Sequence, residues 1–205
     1  MSGPSNADAT AVFYIGIYDS SAKPAKQLLD ISDVQSFGYF QRASVLDFMR
    51  FTAATIAERT ATGIRQSVEE QKYMVHAYTR SEGCTGIIIT NSAYPKRIPH
   101  ELLNRLLDEF LTKYPRTTWG STATFDLPSL KDYIVKYQQP SQADNISRIQ
   151  AELDETKIVL HKTIESVLER GENLNNLVQK SDNLSSASKM FYTTAKKQNS
   201  CCVVM

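Results

Sequence analysis

Two adjacent cysteines carry the clearest covalent chemistry in this sequence. Cys202 is followed by Val203, Val204 and Met205. A cysteine, two aliphatic residues and a final methionine form a CaaX prenylation signal, and the methionine favours a farnesyl group. Cys201, next to it, is a candidate for S-palmitoylation; the alternative is an unmodified thiol. One lipid gives marginal, reversible membrane binding and two give stable anchoring. Cys202 alone would therefore set up an equilibrium between membrane and solution, with Cys201 as the switch. Lys189, Lys196 and Lys197 add a basic flank, worth about 1 kcal/mol each near an anionic surface.

A second chemical feature lies upstream. Steps of three and four from Ile146 meet Ile149, Leu153, Thr156, Leu160, Thr163, Val167, Arg170, Leu174, Leu177, Ser181, Leu184, Ser188, Phe191, Ala195 and Gln198. Such alternation is a period of 3.5, the spacing of a coiled-coil seam. Arg170 stands in its middle, with apolar Val167 and Leu174 in phase on either side. A guanidinium has five donors, no acceptor and a permanent charge, so burying it alone is costly. Side-chain carbonyls of partner glutamines would satisfy it and fix register. The alternative is a break in the seam with Arg170 in solvent; the in-phase neighbours favour the buried layer. The polar seam positions, together with Gly171, make the stripe too weak to hold a lone helix in water. The segment is expected to order on partners or by folding back on the rest of the chain.

Other chemistry is thin. No G-x-x-x-x-G-K-[ST] loop is present, which removes a prenylated GTPase. His100-Glu101 has Asn104 where a zinc protease needs its second histidine. His76 sits mid-strand with no second ligand at useful spacing and reads as structural. No catalytic residue, cofactor or metal is expected. A net charge of +1 and the absence of a basic, aromatic-laced stripe argue against nucleic acid. Three cysteines do not make a disulfide framework, Met1–Asn6 does not resemble a signal peptide, and no run approaches a spanning length. These make the chain look intracellular, and soluble unless a covalent lipid attaches it to the cytoplasmic face of a membrane.

The elements that must position these residues fall into a globular part and an extension. Residues 1–11 read as a flexible start. Val12–Tyr18 and Lys26–Ile31 form a hairpin across turn residues. Ser44-Val-Leu-Asp47 resembles a capping box opening a helix with Val45, Phe48, Met49, Phe51 and Ile56 on a wide apolar face, stopping near Thr62-Gly63. So broad a face suits a helix clamped between a sheet and another helix, or a groove for an apolar segment. Three strands follow, at Arg65–Glu70, Tyr73–Tyr78 and Gly86–Thr90, with Cys84 as a buried small hydrophobe. A helix from Pro99 to about Tyr114 and a shorter one after Pro128 complete the unit. The order predicts an α+β domain over 12–138, a five-stranded antiparallel sheet with three helices. A polar hinge from Gln138 to Gln142 suggests a boundary at 139–144, the heptad segment at 145–200 and a lipidation tail at 201–205.

The run Val167-Leu-Glu-Arg170-Gly-Glu-Asn-Leu174-Asn-Asn-Leu177 resembles the centre of the R-SNAREs, the synaptobrevin-like proteins, and the resemblance extends from about Asn145 to Gln198. Phe40-Gln-Arg-Ala-Ser44, entering the first helix, resembles a longin domain, a profilin-like fold. Together with the tail, the chain is similar to the prenylated longin R-SNAREs. The resemblance implies that Arg170 is the zero-layer arginine, facing three Q-SNARE helices in a parallel bundle that drives membrane fusion. It also implies loss of Val203–Met205 and methylation after prenylation, and a role in transport between organelles such as the endoplasmic reticulum and Golgi. The groove at Phe40, Phe48 and Phe51 is expected to hold the chain's own heptad segment, and the farnesyl group with it. The alternative is a longin-domain adaptor binding coat or tether proteins without fusing membranes.

Overall fold

The computed structural model describes residues 11–121, 124–140 and 157–200. The globular part follows the expected order. Strands β1 (Val12–Asp19) and β2 (Lys26–Ser32) precede helix α1 (Arg42–Glu58). Strands β3 (Arg65–Glu70), β4 (Tyr73–Thr79) and β5 (Cys84–Asn91) then lead to α2 (Arg97–Lys113) and α3 (Ser129–Lys136). These five strands pair antiparallel in the order β2-β1-β5-β4-β3.

Period-two alternation sends side chains to two separate cores. Ile15, Ile17, Cys84 and Ile88 face α2 and α3, where Leu102, Leu103, Leu106, Phe110, Leu130 and Ile134 meet them. Tyr14, Tyr18, Val75, Ile87 and Ile89 face α1 through Val45, Met49, Ala53 and Ile56. Gly16, in phase with Tyr14 and Tyr18, has no room for a side chain, since a Cβ there would stand 2.7 Å from the ring of Tyr14. The Tyr14 and Tyr18 hydroxyls are 2.6 Å apart in this buried layer, and burial raises both phenols well above their ordinary range.

Several boundaries differ from expectation. Helix α1 begins at Arg42 on a 3-10 turn (Tyr39–Gln41), with no side-chain cap. Ser44 and Asp47 are thus inside the helix. The Arg42 side chain donates to the carbonyls of Phe37 (3.1 Å) and Gln35 (2.9 Å), which holds the approaching chain in place of a capping box. The helix stops at Glu58, short of Thr62-Gly63. Gln138 is no hinge. Its side-chain oxygen accepts from the amides of Ala11 (2.8 Å) and Val12 (3.0 Å), and its Nε2 donates to the Val12 carbonyl at 2.7 Å, so the end of the globular unit is tied to its first strand. Residues 141–144 of the expected hinge lie outside the described residues.

His76 has a full structural role. Thr90 Oγ1 donates to the Asn91 carbonyl (3.0 Å) and so accepts from His76 Nε2 (3.1 Å). His76 Nδ1 is then an acceptor for the Ser67 hydroxyl at 2.8 Å. Ser67 Oγ in turn accepts from His100 Nε2 at 2.8 Å. His100 Nδ1 is left as a bare acceptor, without a partner. An unfilled acceptor costs less than a buried unfilled N–H. The chain of bonds runs in one direction only if both rings are neutral. Burial lowers the pKa of both, His76 well below its ordinary value and His100 to about 4.

The C-terminal segment is the largest departure. Its described part is not one continuous helix. Ile158–His161 forms β6, which extends the sheet to six strands by pairing parallel with β3, Arg65 opposite Ile158 and Val68 opposite His161. A 3-10 turn (Ile164–Val167) follows, then helices α4 (Leu174–Lys180) and α5 (Ser186–Ser200). The β-branched Ile158-Val159 pair suits a strand edge. Asn173 caps α4 by accepting from the Asn176 amide at 2.8 Å, and Ser185 accepts from the Ser188 amide at 3.1 Å at the start of α5. The segment thus contains caps that divide it, which the heptad count overlooks.

Candidate functional site

The site is the surface on which the C-terminal segment lies. Helix α5 packs on α1, so α1 is clamped between the sheet and a helix of the chain's own heptad region. This contact covers the wide apolar face of α1. Phe48 stacks on Tyr192 at 5.2 Å between ring centroids and 23° between planes, with Phe51 beside it at 6.2 Å. Tyr192 is pushed up to about 12 by burial, and its hydroxyl donates to Asn175 Oδ1 at 2.9 Å, which joins α5 to α4. Ser188 is fully buried, and its hydroxyl donates to the Asp47 carboxylate at 3.0 Å.

Ile164, Leu174, Val178 and Leu184 are all buried in the same core as α1 and the sheet. Full burial of such side chains is worth about 1.5–3 kcal/mol each before ordering costs. The amide of Ile164 donates to Glu70 at 3.4 Å, and burial raises that carboxyl above its ordinary range.

Farther along, Arg59 at the end of α1 holds Glu172 with Nη2 at 2.8 and 3.1 Å and Nε at 3.3 Å. These hydrogen bonds hold the Glu172 carboxyl below its usual range.

The expected seam residues divide into groups. Leu174 and Leu184 are buried; Val167, Leu177 and Phe191 are half-buried; Leu160 on β6 is 58% exposed. Arg170 is exposed, so in this conformation it forms no buried layer. Ile146, Ile149 and Leu153 lie outside the described residues, as do Cys201 and Cys202. Of the expected groove residues, Phe48 and Phe51 take part. Phe40 does not: it is 94% exposed and meets only the Tyr39 ring among the described aromatic pairs. Phe40 lies in the 3-10 turn just before α1, which leaves its ring in solvent, so its place in the sequence beside α1 is misleading. Ile164 and Val178 are anchors that a seam count omits. Their signal is apolar character out of phase with the heptad.

No helix among the described residues is long and apolar enough to cross a membrane, and no group of His, Cys, Asp or Glu among them could hold a metal ion.

An α+β unit with two helices on one sheet face, a third on the other, and a helical heptad segment wrapped around that third helix defines a class: a longin domain followed by a SNARE segment. The comparisons agree. Residues 34–134 match the regulated-SNARE-like (longin) domain and 145–203 match synaptobrevin. The chain is 54% identical over 194 residues to the synaptobrevin homolog ykt6 of Schizosaccharomyces pombe, covering 94% of this chain and 98% of the relative. It is 52% identical over 198 residues to the YKT6 protein of Saccharomyces cerevisiae, covering 95% and 99%. The YKT6 protein of Candida glabrata is 53% identical over 203 residues, covering 95% and 99%.

The chain belongs to this family of synaptobrevin homologues, the longin-domain R-SNAREs of membrane trafficking, which are not enzymes.

Proposed function

We propose that the chain is a lipid-anchored R-SNARE whose longin domain holds its own SNARE segment in a closed form. One observation carries this reading. Leu174, Leu184 and Ser188 are seam positions needed for a helical bundle, and all three are buried against the longin core. The segment cannot occupy both places at once. Opening must therefore precede assembly, and whatever favours the docked segment slows it.

In the open form the heptad segment, residues 145–200, zippers with three Q-SNARE helices on an opposing membrane. Arg170 then turns inward as the polar layer that sets register. Cys202, followed by two aliphatic residues and methionine, carries a farnesyl group, and Cys201 a palmitoyl group. These lipids attach residues 201–205 to the cytoplasmic face of a membrane and transmit the pull of assembly. The longin domain, residues 12–138, regulates this step, and the region 139–144 connects the two parts.

The test mixes the full chain with three cognate Q-SNARE helices and follows a heat-resistant complex. The wild-type chain forms it, and Phe51→Glu forms it faster because a carboxylate beside Phe48 weakens the docked state. Failure to form a complex sinks the R-SNARE reading. Equal rates for the two chains sink the closed-form reading alone.

A further inference from the structure

We infer that the turn Glu169–Glu172, clamped by Arg59, is a latch that keeps the zero-layer region out of helical form, and that Gly171 is required by the latch rather than by the bundle. The inference rests on the closed-form reading above and names what holds it shut at its centre.

The turn is defined by its own bonds. The Glu172 amide donates to the Glu169 carbonyl at 2.9 Å, which closes four residues. The Glu169 amide donates to the Glu172 carboxylate at 3.0 Å, which closes the same four residues a second time. Gly171, third in the turn, has φ +91°. A turn with positive φ at its third position is the place where glycine is favoured. Arg170, second in the turn, points to solvent.

The clamp is built on the domain side. Arg59 is mostly buried and offers Glu172 three short contacts. Its own position is fixed. Nη1 donates to the Thr55 carbonyl at 3.0 Å and to Glu58 at 3.4 Å, and Glu58 accepts from the Ala25 amide at 2.7 Å. Lys23 approaches Glu169 at 3.6 Å, but both side chains are largely exposed and the pair contributes little.

The same residues have different tasks in a helix. At 3.6 residues per turn, Glu172 lies about 200° around the axis from Arg170. It therefore sits on the outer surface of a bundle whose interior holds Arg170. The latch uses a side chain that the bundle leaves in solvent, so the two states can be tuned separately. Gly171 opposes the helix and suits the turn. Alanine reverses both preferences, favouring the helix and disfavouring positive φ. The combined shift toward the extended helix is on the order of 30- to 100-fold. Asparagine tolerates positive φ and is a poorer helix former than alanine, so it falls between them.

The test is hydrogen exchange of the Val159–His161 amides in the full chain. Gly171→Ala speeds exchange at least about tenfold, Gly171→Asn less, and Glu172→Gln several-fold. Arg59→Glu and Glu172→Arg each speed it, and the double swap restores protection. Wild-type protection in Gly171→Ala, faster exchange in the asparagine than in the alanine variant, or a swap without restoration overturns the latch. The position 171 and 172 variants lie outside the folded domain, so misfolding of Arg59→Glu cannot mask the result. If Phe51→Glu opens the chain and the latch variants do not, the closed form stands and the latch fails. If the latch variants open it without hastening Q-SNARE assembly, the latch stands and autoregulation fails.

Discussion

Acid should loosen the longin domain through one buried pair. His76 and His100 face each other at 5.3 Å between ring centroids, and Ser67 bridges them. The positive groups acting on them are Arg65, from β3, on His100, and on His76 first His100 itself and then Lys96, just before α2. Both shifts depress the folded pKa, with desolvation the largest cause. The folded state therefore binds fewer protons than the unfolded chain between about pH 4 and pH 6.5. Stability is fully present above the unfolded value near 6.5 and declines as pH falls below it. For His100, lowered to about 4, the loss at pH 5 relative to pH 7.5 is about 2 kcal/mol. His76, lowered well below its ordinary value by burial and then by the facing His100, adds a loss in the same direction. The His100 loss alone corresponds to a melting temperature lower by about 4–8 °C. The assay is urea or thermal unfolding of the full chain at pH 7.5 and pH 5, in wild type and in His100→Gln. The variant keeps an N–H for Ser67 but cannot titrate, so its difference between the two pH values shrinks by about 2 kcal/mol. An identical pH dependence in both chains would refute the neutral-pair reasoning.

Further perturbations address separate parts of the molecule. Gly16→Ala places a methyl group against the Tyr14 ring and should cost about 1–3 kcal/mol in urea unfolding at neutral pH. Val178→Asp puts a carboxylate where the docked segment is fully buried; it should release α4 and α5, seen as faster exchange of their amides, with the protection of β1 and β5 retained. Gln138→Ala removes three bonds to the first strand and should lower domain stability by about 1–3 kcal/mol in the same urea measurement. Cys202→Ser should leave the chain in the soluble fraction of fractionated cells, and persistent membrane attachment would count against the anchor.

The α+β order was legible because each strand and helix carries a strong local signal. Val12–Tyr18 and Ile87–Ile89 are β-branched or aromatic runs, and Leu102 to Phe110 repeats at helical spacing. The seam from Leu174 to Phe191 was legible for the same reason, since periodicity survives in the chain whatever it packs against. Helix ends were less so. The Ser44–Asp47 pattern looks like a start, yet a distant-seeming pair of carbonyls, on Gln35 and Phe37, draws Arg42 into the first turn. Phe40 was misplaced in the groove because adjacency in sequence does not say which way a 3-10 turn projects a side chain.

By itself, then, the sequence determined a longin-type order of elements, a heptad segment with one arginine in phase, and a cysteine tail that matches a prenylation signal. It did not determine which of two partners the heptad segment takes. That segment can satisfy its apolar face against partner SNARE helices or against α1 and the β3 edge, and periodicity is blind to the choice. Only the tertiary structure, where Phe48 meets Tyr192 and Arg59 meets Glu172, selects the second. The deciding contacts join residues more than a hundred positions apart, and no local pattern encodes such pairings. Arg170 shows the difference most plainly: its heptad phase points to a buried layer, and the fold places it on the outside of a turn.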